Sequence, residues 1–332
     1  MASRSLIVLP DDSAAPILQA IADAKQSLRI KMFVFSDRSL LDAVKAARQR
    51  GVDVRVMLNP ARRDGTDDNA EARTELSAAG VNVFDSSPSF SLTHEKSMVV
   101  DETTALVKSL NWETRNLTET RDYAVVTDHP HEVQEMIDCF EADWNRTKFD
   151  PGALAHLVWC PPNGRERICG FIDNAKDTLF VQNERYQDQI VIERLVRAAL
   201  RGVKVHVMAR APHTLKADKL VEGVGGLRIL DDAGIKVHKL HHLKLHGKIF
   251  LADGVAAIIG SINLAPGSLD DRRELAIVVR DDGVVERLHH VAKKDWENSG
   301  PLDLSDDGLL ADLKDRKEAA EALVLHGKAE NT

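Results

Sequence analysis

The feature that most constrains this chain is that it contains itself twice. Arg50-Gly-Val-Asp-Val-Arg-Val-Met57 returns as Arg201-Gly-Val-Lys-Val-His-Val-Met208, and Ala79-Gly-Val-Asn-Val83 returns as Ala233-Gly-Ile-Lys-Val237. Further on, His94, Lys96 and Asp101 match His246, Lys248 and Asp253. Asn111 matches Asn263, Asp122 matches Glu274, and Asp143-Trp144 matches Asp295-Trp296. From the histidines onward the spacing is constant, so insertions between the copies are confined to earlier loops. A duplication of this length means two similar units that share one chain, and internal repetition is the first thing to weigh in assigning a fold.

Each copy alternates helix-like and strand-like segments. In the first, Leu6–Leu9, Leu28–Phe35, Val52–Leu58 and Val81–Phe84 read as strands. Ala14–Gln26, Leu40–Arg48 and Ala70–Ala79 carry helical spacing between them. His94–Val100, Thr104–Lys108 and Asp122–Thr127 then read as hairpin-connected strands, and Glu132–Trp144 as a closing helix. The second copy repeats this order. The pattern predicts an α/β fold of two duplicated halves, each a mixed β-sheet flanked by helices, related by a pseudo-twofold. The expected units are residues 1–150, 151–300 and a helical tail over 301–332, with the join at Asn145–Ala155. Within the tail, residues 303–326 have the spacing of a terminal helix that packs and does no chemistry.

Composition narrows the function. The formal net charge is −8, which disfavours extensive non-specific gripping of nucleic-acid backbone. Cys139, Cys160 and Cys169 are odd in number and lack CxxC spacing, as expected in a reducing compartment. No apolar run approaches the ~20 residues that span a bilayer, and Leu6–Leu9 is too short for a signal-peptide core. The expectation is a cytoplasmic protein that reaches a membrane only peripherally.

The chemistry sits in His94-Glu-Lys-Ser-Met-Val-Val-Asp101 and His246-Gly-Lys-Ile-Phe-Leu-Ala-Asp253. Side chains alternate along an extended segment, so each motif presents an imidazole and an ammonium on one face, with Glu95 and Gly247 turned away. Two such units facing each other suit phosphodiester cleavage without a metal or cofactor. The lysines would meet the non-bridging oxygens; one histidine would attack phosphorus and the other would protonate the leaving alcohol. Ser109, Asn111, Ser261 and Asn263 are candidates to donate to phosphate oxygens. Asp122 and Glu274 are candidates to bind one imidazole nitrogen and fix its tautomer. Asp101 and Asp253 stand at hairpin turns and are expected to be structural.

These residues resemble the HKD motifs of the phospholipase D superfamily. Gly260-Ser-Ile-Asn263 is similar to its downstream GSxN element and Glu274 to its trailing glutamate, and the resemblance covers roughly residues 1–298. It implies two α/β halves with the active site at their interface and a metal-independent, ping-pong mechanism through a phosphohistidine. It further implies that His94 is the nucleophile and His246 the general acid. The first copy departs from the pattern: Lys108 stands where glycine is usual, and Asp122 replaces glutamate.

Other features admit plainer readings. Met98, Val100, Ile249 and Leu251 are expected in the core. His238, His241 and His242 lie in a basic stretch before the second motif and suggest a cationic rim, since no cysteine or clustered carboxylate completes a metal site. Trp112 and Leu110 flank Asn111 as packing or as ligand contacts. The loops at Asn59–Glu75 and Arg210–Gly226 are expected to frame the cleft. The favoured substrate is a glycerophospholipid at a membrane surface, handled by a phospholipase D or cardiolipin-synthase-like phosphatidyltransferase. The alternatives are a nuclease, supported by Lys236–Lys248 with Arg62-Arg63 and Arg272-Arg273, and a non-catalytic binder of anionic ligands. Two motifs in one chain need no protein partner, so a monomer is expected.

Overall fold

A computed structural model describes residues 3–60, 65–210, 217–305 and 307, with the backbone alone for 217–222. The first copy runs β1 (Arg4–Leu9), α1 (Ala15–Asp23), β2 (Ser27–Met32), α2 (Arg38–Gln49), β3 (Asp53–Leu58), α3 (Ala70–Ala78) and β4 (Asn82–Asp85). It continues with β5 (Leu92–Thr93), β6 (Ser97–Val100), β7 (Thr104–Lys108), α4 (Thr114–Thr118), β8 (Thr120–Thr127) and α5 (Pro130–Trp144). The second copy repeats this as β9 (Leu157–Cys160), α6 (Gly164–Asp173), β10 (Thr178–Asn183), α7 (Gln189–Leu200), β11 (Lys204–Ala209), α8 (Ala217–Asp232) and β12 (Lys236–Leu240). Then come β13 (Lys244–Leu245), β14 (Lys248–Ala252), β15 (Ala256–Gly260), α9 (Pro266–Asp270), β16 (Arg272–Val279), α10 (Asp282–Glu297) and β17 (Ser299–Pro301). The tail helix expected over 303–326 lies almost wholly outside the described residues.

The first sheet has the order β1-β8-β7-β6-β2-β3-β4, and the second β17-β12-β11-β10-β14-β15-β16-β5. In each, a parallel trio (β2–β3–β4, β10–β11–β12) meets an antiparallel set, giving the expected mixed sheets. Local chemistry explains the repeated βαβ step. Asp37 and Asp188 cap α2 and α7 by accepting from the amides of Leu40 and Val191. Gly51 and Gly202, at φ of 92° and 94°, let the chain leave each helix in the left-handed conformation that other residues resist.

The inner faces of the two sheets pack on each other. Val99, Ala105, Val107, Tyr123 and Val125 from one half share a buried cluster with Ile249, Ala257, Ile259, Leu275 and Ile277 from the other. Val133, Met136 and Ile137 of α5 and Val284, Val285 and Leu288 of α10 join the same cluster. The outer faces bury separate cores under α1–α3 and under α6–α8. Of the three apolar layers, the middle one fixes the halves against each other. A rigid contact of this kind is what an active site split between them requires.

One topological detail positions that site. The two-residue strand before each histidine crosses to the opposite half: β5 pairs with β16 and β13 pairs with β8. The sequence predicts a continuous strand from His94 to Val100, but the ladder breaks between Thr93 and Ser97. The amides of His94 and Glu95 both donate to the Arg273 carbonyl, at 2.9 Å each. At the second motif His246 and Gly247 donate to the Arg121 carbonyl, at 3.3 and 2.7 Å. Each motif thus begins on one sheet and ends on the other, with its histidine at the crossing.

Candidate active site

The crossing brings each histidine to the carboxylate of the other half. The His94 Nδ1–H donates to Glu274 Oε2 at 2.9 Å, and the His246 Nδ1–H donates to Asp122 at 2.8 and 3.0 Å. Asp122 grips as closely as the longer glutamate. With Nδ1 committed, each ring turns Nε2 outward. Both histidines line one cleft of about 740 Å³ with Phe33, Asn59, Asn111, Glu184, Arg185, Arg210, Asn263 and Arg272.

The two lysines lie beneath the histidines. Lys96 Nζ donates to the His94 carbonyl at 2.6 Å, and Lys248 Nζ donates to the His246 carbonyl. Burial pushes the Lys96 ammonium down to about 7; Lys248 adds to this, and Glu274, Glu184 and Asp122 oppose it. His94 is held well below the ordinary imidazole range by burial and by the positive charges of Lys96, Lys248, Arg272 and His246. It is therefore a neutral base with a free Nε2. Burial raises the Glu274 carboxyl to about 6, against Lys96, Ser261 and Arg272. For Asp122 the balance reverses: burial works to raise it, but His246, Lys248 and Ser109 together hold it below its usual value.

Of the residues expected to touch phosphate, the structure separates amides from hydroxyls. Asn111 and Asn263 line the cleft. Ser109 and Ser261 do not: both are fully buried behind the carboxylates. Ser109 Oγ donates to Asp122 Oδ1 at 2.6 Å and accepts from the Tyr123 amide at 2.8 Å. Ser261 Oγ accepts from the Leu275 amide at 3.1 Å. These hydroxyls brace the carboxylate strands, because the residue after each carboxylate, Tyr123 or Leu275, needs a partner for its amide where the ladder ends. Asp101 and Asp253 sit at left-handed turn positions, and each accepts from three successive amides, at residues 25–27 and 176–178. They tie the hairpin that follows each motif to the start of β2 and β10.

Other expectations resolve in the same way. Lys108 is fully buried with its ammonium group 4.3 Å over the Trp112 ring, and burial holds it well below the usual lysine range. Trp112 and Leu110 are themselves fully buried, so they pack. His238 stacks on Trp296 at 3.8 Å between ring centres and meets Ser299, while His241 and His242 line a neighbouring concavity with Lys239 and Lys244. Of the two expected framing loops, Asn59, Pro60 and Arg210 reach the cleft. Residues 61–64 and 211–216 of these loops lie outside the described residues. Among the described residues Glu95, Cys139 and Asp143 are grouped closely enough to hold a metal, but Lys31 Nζ already sits among all three at 2.7–3.2 Å. Asp143 also takes a two-point bond from Arg273, and Asp295 one from Arg121. These two arginines immediately precede Glu274 and Asp122, so the closing helix of each half anchors the carboxylate strand of the other.

Glu184 escaped the sequence reading. It lies at the end of β10, 2.8 Å from Lys248 Nζ, 2.9 Å from Arg210 and 3.8 Å from His246 Nε2. Its counterpart in the first copy is Phe33, whose ring packs 4.9 Å from both the His94 ring centre and Lys96 Nζ. Laying the repeats side by side reveals the mismatch, which no motif would flag.

Known proteins agree with this arrangement. The family model described as "Cardiolipin synthase, PLD-like domain" matches twice, over residues 17–144 and 168–296. Cardiolipin synthase B of Salmonella typhimurium is 27% identical over 313 residues, covering 80% of this chain and 73% of the relative. Mitochondrial cardiolipin hydrolase of Homo sapiens is 31% identical over 174 residues, covering 48% of this chain and 67% of that protein. Two solved structures share the fold. Phosphatidylserine synthase of Haemophilus influenzae has a TM-score of 0.70 at 12% identity, covering 96% of this chain and 94% of its own. Polyphosphate kinase of Porphyromonas gingivalis has a TM-score of 0.71 at 16% identity, covering 96% of this chain and 53% of its own. With both copies matched and both histidine–carboxylate pairs opening on one cleft, this chain belongs to the cardiolipin synthase-like family of phospholipase D enzymes.

Proposed function

We propose that this protein cleaves the phosphodiester of a glycerophospholipid and passes the phosphatidyl group to water or an alcohol through a phosphohistidine. The observation that carries the reading is the pair of cross-half histidine–carboxylate contacts on a single cleft. The lipid class rests on the relatives, a cardiolipin synthase and a cardiolipin hydrolase. The cleft volume suits a head group and glycerol backbone, leaving acyl chains in the membrane. Among the described residues no helix is long and apolar enough to cross a bilayer.

The roles follow from the two environments. His94 is kept neutral, so its Nε2 lone pair attacks phosphorus and forms the P–N bond. The bond to the leaving oxygen breaks as that oxygen takes the Nε2 proton of His246, whose imidazolium is balanced by Asp122. His246, now neutral, takes the proton of the incoming water or alcohol, whose oxygen attacks phosphorus and releases His94. Asn111 and Asn263 meet the non-bridging oxygens from the cleft wall, while Lys96 and Lys248, beneath the histidines, add positive charge to the site.

Labelled phosphatidylglycerol vesicles, single- and double-stranded DNA, and bis-p-nitrophenyl phosphate, each with EDTA, test the reading. Lipid turnover is expected, with loss in both His94→Ala and His246→Ala. In His246→Ala the trapped phosphate adduct should sit on His94, and mass spectrometry finding it on His246 in the His94→Ala protein would reverse the roles. Cleavage of DNA without lipid turnover would overturn the substrate class.

A further inference from the structure

The two motifs are alike, yet the proposed mechanism needs two histidines that behave differently. The difference comes from the residue just past β2 and β10. In the first copy it is Phe33, an apolar ring against His94 and Lys96; in the second it is Glu184, a partly buried carboxylate on the cleft wall against His246 and Lys248. Asn59 and Arg210 repeat the contrast one strand over, and Arg210 pairs with Glu184.

We infer that Glu184 is the positioning residue that assigns the acid role to His246. Resting on the functional reading above, it does so by stabilising the imidazolium at Nε2, while Phe33 withholds that support from His94. The charged and titratable groups facing His246 are Asp122 from β8, Glu184 beyond β10, Lys248 on β14 and, along the cleft, His94, Arg185, Arg210, Lys244 and Arg272. Only Asp122 and Glu184 of these are negative, and they flank opposite nitrogens of the ring. Asp122 accepts from Nδ1, while Glu184 lies 3.8 Å from Nε2, the atom that gives up the proton. Glu184 itself stays ionised: burial would raise it, but Lys248, His246 and Arg210 hold it well below the usual carboxylate range. It does not accept the proton from His246 in the reaction, because its distance leaves Nε2 directed at the cleft.

The test uses the leaving group. A lipid alcohol departs only with a proton, whereas p-nitrophenolate departs without one, so a residue that acts through the acid should matter for the first substrate alone. Glu184→Gln is expected to lower kcat on phosphatidylglycerol vesicles by about tenfold or more. The single-turnover release of p-nitrophenolate from bis-p-nitrophenyl phosphate should change by less than about threefold. Glu184→Asp should recover part of the lipid rate. Equal losses on both substrates would mean a structural role, and no loss on either would mean no role; both overturn the inference. If the wild-type protein turns over neither substrate, the functional reading has failed. The inference then stands or falls on nitrogen-15 spectra at pH 7, in which Glu184→Gln should lower the imidazolium share of His246. An unchanged share would overturn it.

Discussion

Gly247 occupies the position that holds Glu95 in the first motif, and replacing it with alanine should disable the second histidine. In the first copy the Glu95 side chain has somewhere to go: it reaches Lys31 at 3.0 Å and accepts from Ser97 at 2.6 Å. At Gly247 a Cβ would stand 2.6 and 2.7 Å from two ring carbons of Tyr123 and 3.0 Å from the Arg121 carbonyl. Carbon atoms prefer about 3.5–4.0 Å, so roughly 1 Å must open. The ring cannot yield freely, since Tyr123 is fully buried and its hydroxyl donates to Gln182 at 2.6 Å. The backbone of His246 must move instead, and the same amide pair that bonds the Arg121 carbonyl carries the imidazole to Asp122. Overpacking of this kind costs about 1–3 kcal/mol, or about 1–4 °C in Tm for a chain of this size. A displacement of about 1 Å at a catalytic group costs about a hundredfold in kcat. Gly247→Ala is therefore expected to fold, to melt a few degrees lower and to lose about two orders of magnitude in lipid turnover. Gly247→Ala with Tyr123→Leu should recover part of that rate by removing the obstructing ring edge. A single variant that melts within about 1 °C of wild type and turns over within about twofold would refute the packing argument.

Three further outcomes are expected. Because burial raises Glu274 to about 6 from 4.5, turnover should fall as pH drops through about 6 and the carboxylate stops accepting from His94. The same raised value favours the folded protein fully below about 4.5 and loses that contribution, about 2 kcal/mol, as pH rises through 6. Glu274→Gln should thus remove the acid limb of the pH–rate profile while raising Tm at pH 7.5; a lower Tm would contradict the sign. Lys96→Met removes an ammonium that is 1% exposed and pushed down to about 7 by burial, so Tm at pH 7 should hold or rise by about 2–4 °C while turnover collapses. A clear drop in Tm would show that the Lys96 bond to the His94 carbonyl outweighs desolvation. Asp143→Ala leaves Lys31 and Arg273 without their shared carboxylate and should cost about 3–5 kcal/mol in urea unfolding, far more than the exposed pair Lys244–Glu119.

The sequence alone determined the duplication, the mixed α/β halves and the two His–Lys pairs that the fold gathers at one cleft, because repetition, alternation and motif spacing are properties read along the chain. It also marked Asp122 and Glu274 as carboxylates beside imidazoles. Which carboxylate serves which histidine was beyond it, since that depends on β5 and β13 crossing to the opposite sheet, a pairing between residues some 120–180 positions apart. Ser109 and Ser261 look like phosphate donors in sequence, yet the ladder's end claims their hydroxyls for backbone amides and, at Ser109, for a carboxylate. Glu184 belongs to no motif, and only packing that sets it beside Lys248 and His246 gives it a part. The types of reactive group are local and survive in a one-dimensional pattern. Their pairing, burial and charge balance arise from long-range contacts, and those exist only once the two sheets have closed on each other.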